Sequence, residues 1–149
     1  MTAKEYLSQI RTLDVKINQR IEERERLWQE ALGVSGIRYD KDKIQSSNTL
    51  DMPDLIARCY EMESEINSMI DQLIILKHDI IGDIHKLTDH RYIQLLHLRY
   101  VDFKRLEDVA CIMRKTNGDE YSYDHIVWLH GEALQALAEI IPEKLQKNI

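Results

Sequence analysis

The stretch that decides the fold of this chain runs from Asp89 to Leu137 and reads DHRYIQLLHLRYVDFKRLEDVACIMRKTNGDEYSYDHIVWLHGEALQAL. Its apolar residues recur at three- and four-residue steps, which is the spacing of a buried helix face. Three such faces follow one another: Tyr92, Leu95, Leu96 and Tyr100; Leu106, Val109, Ala110 and Met113; and Ile126, Leu129, Ala133, Leu134 and Leu137. The order of helix, short helix, turn and longer helix is the outline of a helix-turn-helix module.

Local signals set the limits of these three helices. The first is expected over about His90–Val101 and the second from about Arg105. The pair Asn117-Gly118 interrupts the pattern, and Ser122 is a residue type that often caps a helix N-terminus. We therefore expect the third helix to begin at Ser122.

Several runs of residues carry a family resemblance. They are Leu95-Leu96-His97-Leu98-Arg99-Tyr100, Leu106-Glu107-Asp108-Val109-Ala110, Tyr121-Ser122, Leu129-His130-Gly131-Glu132-Ala133-Leu134 and, near the N-terminus, Ala3-Lys4-Glu5-Tyr6-Leu7 and Gln9-Ile10-Arg11. These runs resemble region 4 of sigma-70-type factors. They are closer still to small phage and prophage proteins of Gram-positive bacteria, a family of sigma-70-region-4-like transcriptional regulators. The resemblance covers nearly the whole chain and implies DNA binding by the C-terminal helices in phage gene control.

If the third helix enters a major groove, the outer residues of its first turns reach the base edges. These residues are Ser122, Tyr123, Asp124, His125, Val127 and Trp128. Asp124 would accept from a cytosine amino group, His125 would donate to a guanine, and Val127 would touch a thymine methyl group. Phosphate contacts would come from the basic residues before the helix, among which Arg114 and Lys115 are best placed. That basic set is Arg91, Arg99, Lys104, Arg105, Arg114 and Lys115.

The charge of the third helix favours an alternative function. From Gly118 through Ile141 there is no Lys or Arg, whereas Asp119, Glu120, Asp124, Glu132 and Glu139 are acidic. Such a face is poorly suited to a polyanion, because phosphate contacts supply most non-specific DNA affinity. The turn before the helix, Arg114 to Glu120, also looks about six residues too long. The alternative is an interaction module that keeps the fold and binds RNA polymerase or another phage protein through Tyr and Trp anchors.

Packing explains some of these residues equally well. Trp128 would then lie against the N-terminal helices or a dimer mate, and Tyr121 would belong to the core. His130 and Gly131 are expected to serve packing, because a helical glycine admits a close neighbour.

The N-terminal part of the chain predicts two long helices. The first runs from Ala3 to about Leu32, and the second follows Asp51 as a cap with Pro53 in its first turn. Their apolar stripes are Tyr6, Ile10, Leu13, Ile17, Ile21, Trp28 and Ala31, and then Leu55, Cys59, Met62, Ile66, Met69, Leu73, Leu76, Ile80, Ile84 and Leu87. Near-heptad spacing predicts a coiled-coil-like antiparallel hairpin.

The second long stripe is wider than one partner helix requires. The extra apolar residues are Ile70, Ile74, Ile75 and Ile81. They indicate either a homodimer or docking of the C-terminal helices. The expected fold is all-α: a hairpin over 1–88 with a polar loop at about 33–52, a helix-turn-helix domain over 89–141, and a tail over 142–149 after Pro142.

Composition and motifs exclude several classes of function. The chain has 149 residues, which is enough for one domain, or for a small domain with an extended arm. Its 31% of charged residues and only 5 Gly and 2 Pro favour a helical protein. Its net charge of -6 argues against a general surface for nucleic acid or anionic membranes. No nucleophile motif or glycine-rich phosphate loop occurs in the sequence. No metal-ligand pair occurs either, since His78 and His85 lie about 10 Å apart on a helix, too far for one ion without other ligands. We expect no enzyme, cofactor, metal or small-molecule substrate.

Two further expectations concern redox state and location. Cys59 and Cys111 are far apart and fit helical core positions, so both are expected to be reduced, buried thiols. There is no apolar signal region and no apolar run of roughly 20 residues, which predicts a cytoplasmic protein without a membrane partner.

Overall fold

The computed structural model describes residues 1–33 and 52–147, and this part of the chain is helical, with no β-strand. Its six α-helices are α1 (Ala3–Ala31), α2 (Met52–Ile84), α3 (His90–Leu96), α4 (Leu106–Ile112), α5 (Tyr123–Ile140) and α6 (Pro142–Gln146). The predicted all-α fold is confirmed. The polar loop at about 33–52 and the Asp51 cap lie almost entirely outside the described residues. Among the described helices, none is long and apolar enough to cross a membrane.

The described chain forms two compact units. Of the described residues, 1–13 and 73–147 belong to the larger unit, and 14–33 and 52–72 belong to the smaller unit. The predicted boundary between a hairpin and a C-terminal domain at 88/89 stays a prediction.

The core of the larger unit contains the inner faces predicted for the last three helices. Its fully buried side chains are Leu7, Ile10, Ile80, Ile84, Leu95, Leu96, Val109, Met113, Ile126, Leu129 and Leu137. Helix α5 packs against both α3 and α4. Tyr92, Leu106 and Leu134 are only half-buried at the edge of this core. Burial of each apolar side chain of this size stabilises the fold by about 1.5–3 kcal/mol.

The first helix of the C-terminal stretch covers the predicted range but is a regular α-helix only over its first part. Asp89 caps α3 by accepting a hydrogen bond of 2.9 Å from the Arg91 backbone N–H. The helix then widens into a π-helical turn over His97–Val101. Phe103 follows with a left-handed φ of 57°, and its ring lies under the Arg11 guanidinium at 5.5 Å. Contacts distant in sequence therefore accompany the departure from regular helix.

A helix occupies the segment expected to be a tail. Pro142 stands in the first turn of α6, where its missing N–H costs nothing. The Lys144 ammonium donates to the buried carboxylate of Asp83, which also accepts from Lys86 at 2.8 Å and from the Tyr6 hydroxyl. The bond from Lys144 holds α6 against α2 within the larger unit.

The smaller unit packs residues of α1 against residues of α2. Its buried apolar side chains are Ile17, Ala31, Cys59, Met62 and Ile66. Trp28, near the end of α1, meets Tyr60, near the start of α2, with the two rings edge to face. This is the stripe that near-heptad spacing predicts.

Three expectations about burial need correction. Cys111 is exposed, whereas Cys59 is buried as expected, and both are free thiols. Gly131 has nothing within 4 Å of the position where a Cβ would stand, so it serves no close helix contact. Ile74 and Ile75 are 61% and 62% exposed, so the C-terminal helices do not cover them.

Candidate nucleic-acid interface

The candidate interface is built on the start of α5. The Ser122 hydroxyl accepts a hydrogen bond of 3.1 Å from the His125 backbone N–H, which fixes the first turn as predicted. Ile126 and Leu129 on the inner face have no exposed surface. Helix α5 is therefore held along one side and capped at its N-terminus.

The outer face of α5 is open to solvent. Tyr123, Val127 and Trp128 are 48%, 41% and 57% exposed, and Asp124 is exposed beside them. These side chains and the exposed Ser122 are five of the six predicted base-reading residues. The prediction that Trp128 packs into the fold is wrong for the single chain.

His125, the sixth of these residues, belongs to an aromatic cluster. Its ring centroid lies 5.1 Å from that of Tyr121 and 6.0 Å from that of Trp128. Tyr121 is buried, as its core interpretation predicts. His125 is half-buried, so its side chain offers less accessible surface to a partner than the exposed residues beside it do.

The long turn before α5 is an ordered structure, which we call the bridge turn (Arg114–Glu120). Arg114 and Glu120 form an isolated antiparallel bridge. Within it the Lys115 N–H donates to the Asp119 carbonyl at 2.9 Å, and the Gly118 N–H donates to the Lys115 carbonyl at 2.8 Å. Gly118 has a φ of 86°, a conformation that glycine adopts without strain. The additional residues of this long turn are therefore held by hydrogen bonds to one another.

The guanidinium of Arg114 is engaged by the end of α4 and by its own turn. It donates to the backbone carbonyls of Cys111 and Met113, and it forms an ion pair of 3.3 Å with Glu120. The Lys115 ammonium lies 5.7 Å from the centroid of the Tyr121 ring. Both residues predicted to contact phosphate therefore have intramolecular partners.

Two other arginines of the basic set also face carboxylates. Arg105 lies 3.3 Å from Asp108, and Arg91 lies 2.8 Å from Asp89. The hydrogen bond to Asp108 raises the pKa of the Arg105 guanidinium. Arg105 is largely exposed, and an exposed ion pair contributes little to stability, so a phosphate can replace the carboxylate at low cost.

A half-buried histidine lies farther along α5. His130 Nε2 and the Tyr100 hydroxyl are 2.7 Å apart and hydrogen-bonded. Burial, assisted by the charge of Arg99, lowers the pKa of His130 to about 4. Its imidazole is therefore neutral at neutral pH and acts as a structural link between α5 and the π-helical turn. In the described ranges, no three His, Cys, Asp or Glu side chains are grouped to hold a metal ion.

No protein-family model matches this chain, and neither a curated protein nor a solved structure gives a significant match. The interface is therefore interpreted from its own chemistry.

Glu120 was expected only to be an acidic residue of this region, and its pairing with Arg114 was not predicted. Glu120 is the ion-pair partner of Arg114 across the bridge turn. The signal for it was the pair Asn117-Gly118, because Asn-Gly commonly marks the tip of a tight two-stranded turn and brings the flanking residues together.

Proposed function

We propose that this chain is a phage-type DNA-binding transcriptional regulator in which α3, α4 and α5 act as a sigma-70-region-4-like helix-turn-helix. The observation that carries the proposal is the division of α5 into two faces. Ile126 and Leu129 are fully buried, whereas Tyr123, Val127 and Trp128 are exposed. A helix anchored along one side and bare at its N-terminal turns has the form of a recognition helix.

In this proposal the outer residues of α5 read base edges in the major groove. Asp124 accepts from a cytosine amino group, and Val127 touches a thymine methyl group. His125 donates to a guanine from its position beside Trp128. The absence of basic residues on the helix means that these contacts supply discrimination rather than affinity.

Affinity has to come from the basic residues that precede α5. Arg114 and Arg105 would exchange their carboxylate partners for phosphate groups, and Lys115 would add a third contact. Each guanidinium exchanges one anionic partner for another. Its contribution to the free energy of DNA binding is therefore smaller than that of an unpaired arginine. We therefore infer binding that is weak and strongly dependent on salt.

The long helices α1 and α2 are proposed to pair as an antiparallel, coiled-coil-like hairpin that carries this module. The edge-to-face contact of Trp28 with Tyr60 supports such pairing in the smaller unit. We further propose a homodimer, since helix-turn-helix dimers read two half-sites about 34–36 Å apart.

The test is a titration of the full chain against fragments of the genome that carries its gene, at two salt concentrations. We expect a retained fragment whose affinity falls with added salt. Substituting Arg114 and Lys115 by Ala removes two phosphate contacts, which should weaken binding to all sequences and make the salt slope less steep by about 1.8.

The matched control is the double variant Lys16→Ala, Arg26→Ala, which removes the same charge from exposed positions of α1. It should leave the slope unchanged. Equal slopes for the wild type and the Arg114, Lys115 variant would remove these two residues from the DNA surface. Failure of the wild type to retain any fragment at low salt would rule out DNA binding.

A second candidate function is docking on a protein, either RNA polymerase or another phage protein. The observation that favours it is the acidic surround of the exposed aromatics, since Asp119, Glu120 and Asp124 lie near Tyr123 and Trp128 in sequence and no Lys or Arg occurs from 118 to 141. Trp and Tyr are frequent anchors of protein interfaces.

Capture of purified RNA polymerase tests the second candidate. Trp128→Ala should weaken capture by about 30-fold or more without unfolding the protein, as expected of an interface anchor. Ile140→Ala, at an exposed position near the other end of α5, is the control and should have little effect. Capture that is equal for the wild type and Trp128→Ala would contradict this function.

A further inference from the structure

The smaller unit contains a cavity of about 320 Å³ between residues of α1 and α2. None of the residues predicted to touch DNA lines it. Its lining consists of Arg24, Glu25, Trp28, Cys59, Tyr60 and Glu63. The volume lies at the small end of the range of ligand sites, which is about 300–1,000 Å³.

Two aromatic rings form a corner of this cavity. The ring centroids of Trp28 and Tyr60 are 6.3 Å apart, and the ring planes are inclined by 79°. Tyr60 is 62% exposed and Trp28 is half-buried, so both rings keep accessible surface. The face of an aromatic ring attracts cations, and two rings at nearly a right angle can present surface to a single guest.

The charges at the cavity favour a guest of one sign. Glu25 and Glu63 are exposed carboxylates at its edge, whereas Arg24 is the single cation among those lining residues that the structure describes. Cys59 is 2% exposed, and burial raises the pKa of its thiol, so it adds an apolar, uncharged surface. A cavity with aromatic walls and a net negative lining complements a group that is both apolar and positively charged.

We propose that this cavity binds an alkylammonium group, seated against Trp28 and Tyr60 and attracted by Glu25 and Glu63. The same chemistry is found in a lysine side chain of a partner protein and in a free quaternary ammonium compound. Arg24 opposes the guest and lowers its affinity. The site lies on different residues from the DNA-binding surface, so it stands whether or not the proposed regulator binds DNA.

The experiment titrates the full chain with choline and with its uncharged isostere, 3,3-dimethylbutan-1-ol. A Trp128→Phe background leaves Trp28 as the single tryptophan, since the chain has two, so that its fluorescence reports on the cavity. We expect saturable binding of choline that is about tenfold tighter than that of the alcohol, because only the cation gains from the ring faces. Equal affinities, or no saturable signal for choline, would overturn the proposal.

Charge variants give two effects of opposite sign. Glu63→Gln should weaken choline binding several-fold, and Arg24→Gln should strengthen it, because the first removes an attraction and the second removes a repulsion. Glu22→Gln is the control, because Glu22 lies on α1, the helix of Arg24, but does not line the cavity. It should change choline binding little. An Arg24→Gln variant that binds choline no better than the parent would contradict the role assigned to Arg24.

A third titration, with a short lysine-containing peptide, separates the two sources of the ligand. Tighter binding of the peptide than of choline indicates a protein partner, and the reverse indicates a small ammonium compound. Circular dichroism of each variant establishes that α1 and α2 remain helical.

Discussion

Asp83 is the charged side chain that lies deepest in the described part of the chain, with 2% of its surface exposed. Burial by itself would raise the pKa of its carboxyl group. Hydrogen bonds from Lys144, Lys86 and Tyr6 outweigh that effect and lower the pKa below its ordinary value. The carboxylate therefore remains charged and joins α6 to α1 and α2.

Replacing Asp83 by Asn should reduce the free energy of unfolding by about 1–3 kcal/mol at pH 7, measured by urea denaturation. The loss stays below the largest values for buried pairs, because both lysine partners are partly exposed and return to water. Since folding lowers the pKa of this group, its contribution is full above its unfolded pKa and declines as the pH falls through the folded value. The difference between the wild type and the variant should therefore shrink at acid pH.

Asp71→Asn is the matched control, because Asp71 is exposed on the same helix. It should change the free energy of unfolding by less than about 0.5 kcal/mol. The loss in the free energy of unfolding caused by Asp83→Asn could also be the same at pH 7 and at acid pH. That result would show that the charged form of the carboxylate is not what stabilises this contact.

Sequence periodicity predicted individual buried residues well where a stripe was clear. Val109 and Met113 are buried as predicted. The same stripe, at Leu106, Val109, Ala110 and Met113, turns position 111 away from the core, so the burial expected for Cys111 contradicted the pattern itself. Asp83 had no such signal, because Tyr6 and Lys144 are distant from it in sequence and Lys86 lies just beyond the end of its helix.

At the scale of secondary-structure elements, the N-terminal cap of α5 holds the candidate recognition surface in place. Ser122→Ala removes the acceptor of the His125 N–H and should cost about 1 kcal/mol of stability. The same change should also weaken binding of DNA or a protein partner, because the first turn of α5 carries Tyr123 and Asp124. Thermal unfolding and the binding titration measure the two effects.

Ser122→Asp is the rescue variant, since Asp caps helices as well as Ser does. Ser64→Ala, inside α2 and exposed, is the control and should be neutral or slightly stabilising, because Ala is the better helix former. Full stability in Ser122→Ala would show that the backbone of the bridge turn is sufficient to start α5.

Element limits that depend on local signals were predictable, and those that depend on tertiary contacts were not. Ser122 and Pro142 mark the two ends of α5 in the sequence itself. The π-helical turn has no local signature and coincides with Phe103 meeting Arg11 of α1. Helix α6 is only five residues long, too short to be stable alone, and it is held by the bonds of Lys144 to Asp83 and of the Met1 ammonium to the Leu145 carbonyl.

At the scale of the whole molecule, charge separates the two candidate functions. The chain has a net charge of -6, and three arginines near α5 pair with carboxylates. The acidity of α5 was evident in the sequence, since it needs no geometry. The pairing of Arg114 with Glu120 was not evident, because it depends on the closure of the bridge turn. In the proposed regulator, DNA therefore has to displace the carboxylates that pair with these arginines. A basic protein surface, whose cations are unpaired, would require no such displacement.

A second whole-molecule feature is the apolar face that the single chain leaves open on α2. Ile74 and Ile75 are more than 60% exposed, whereas Ile66, Ile80 and Ile84 of the same helix are buried. Covering such side chains in a second copy would gain about 25 cal/mol for each Å² removed from water. This is the surface through which the proposed homodimer is expected to form.

Analytical ultracentrifugation tests this expectation directly. The wild type should sediment with the mass of two chains at micromolar concentration, and Ile75→Asp should shift it to the mass of one, because a buried, unpaired carboxylate opposes association. Val15→Asp, at a position on α1 that is 45% exposed, is the matched control and should leave the dimer intact. Circular dichroism should show equal helix content in all three proteins. A monomeric wild type, or a dimer that survives Ile75→Asp, would remove this face of α2 as the dimer interface.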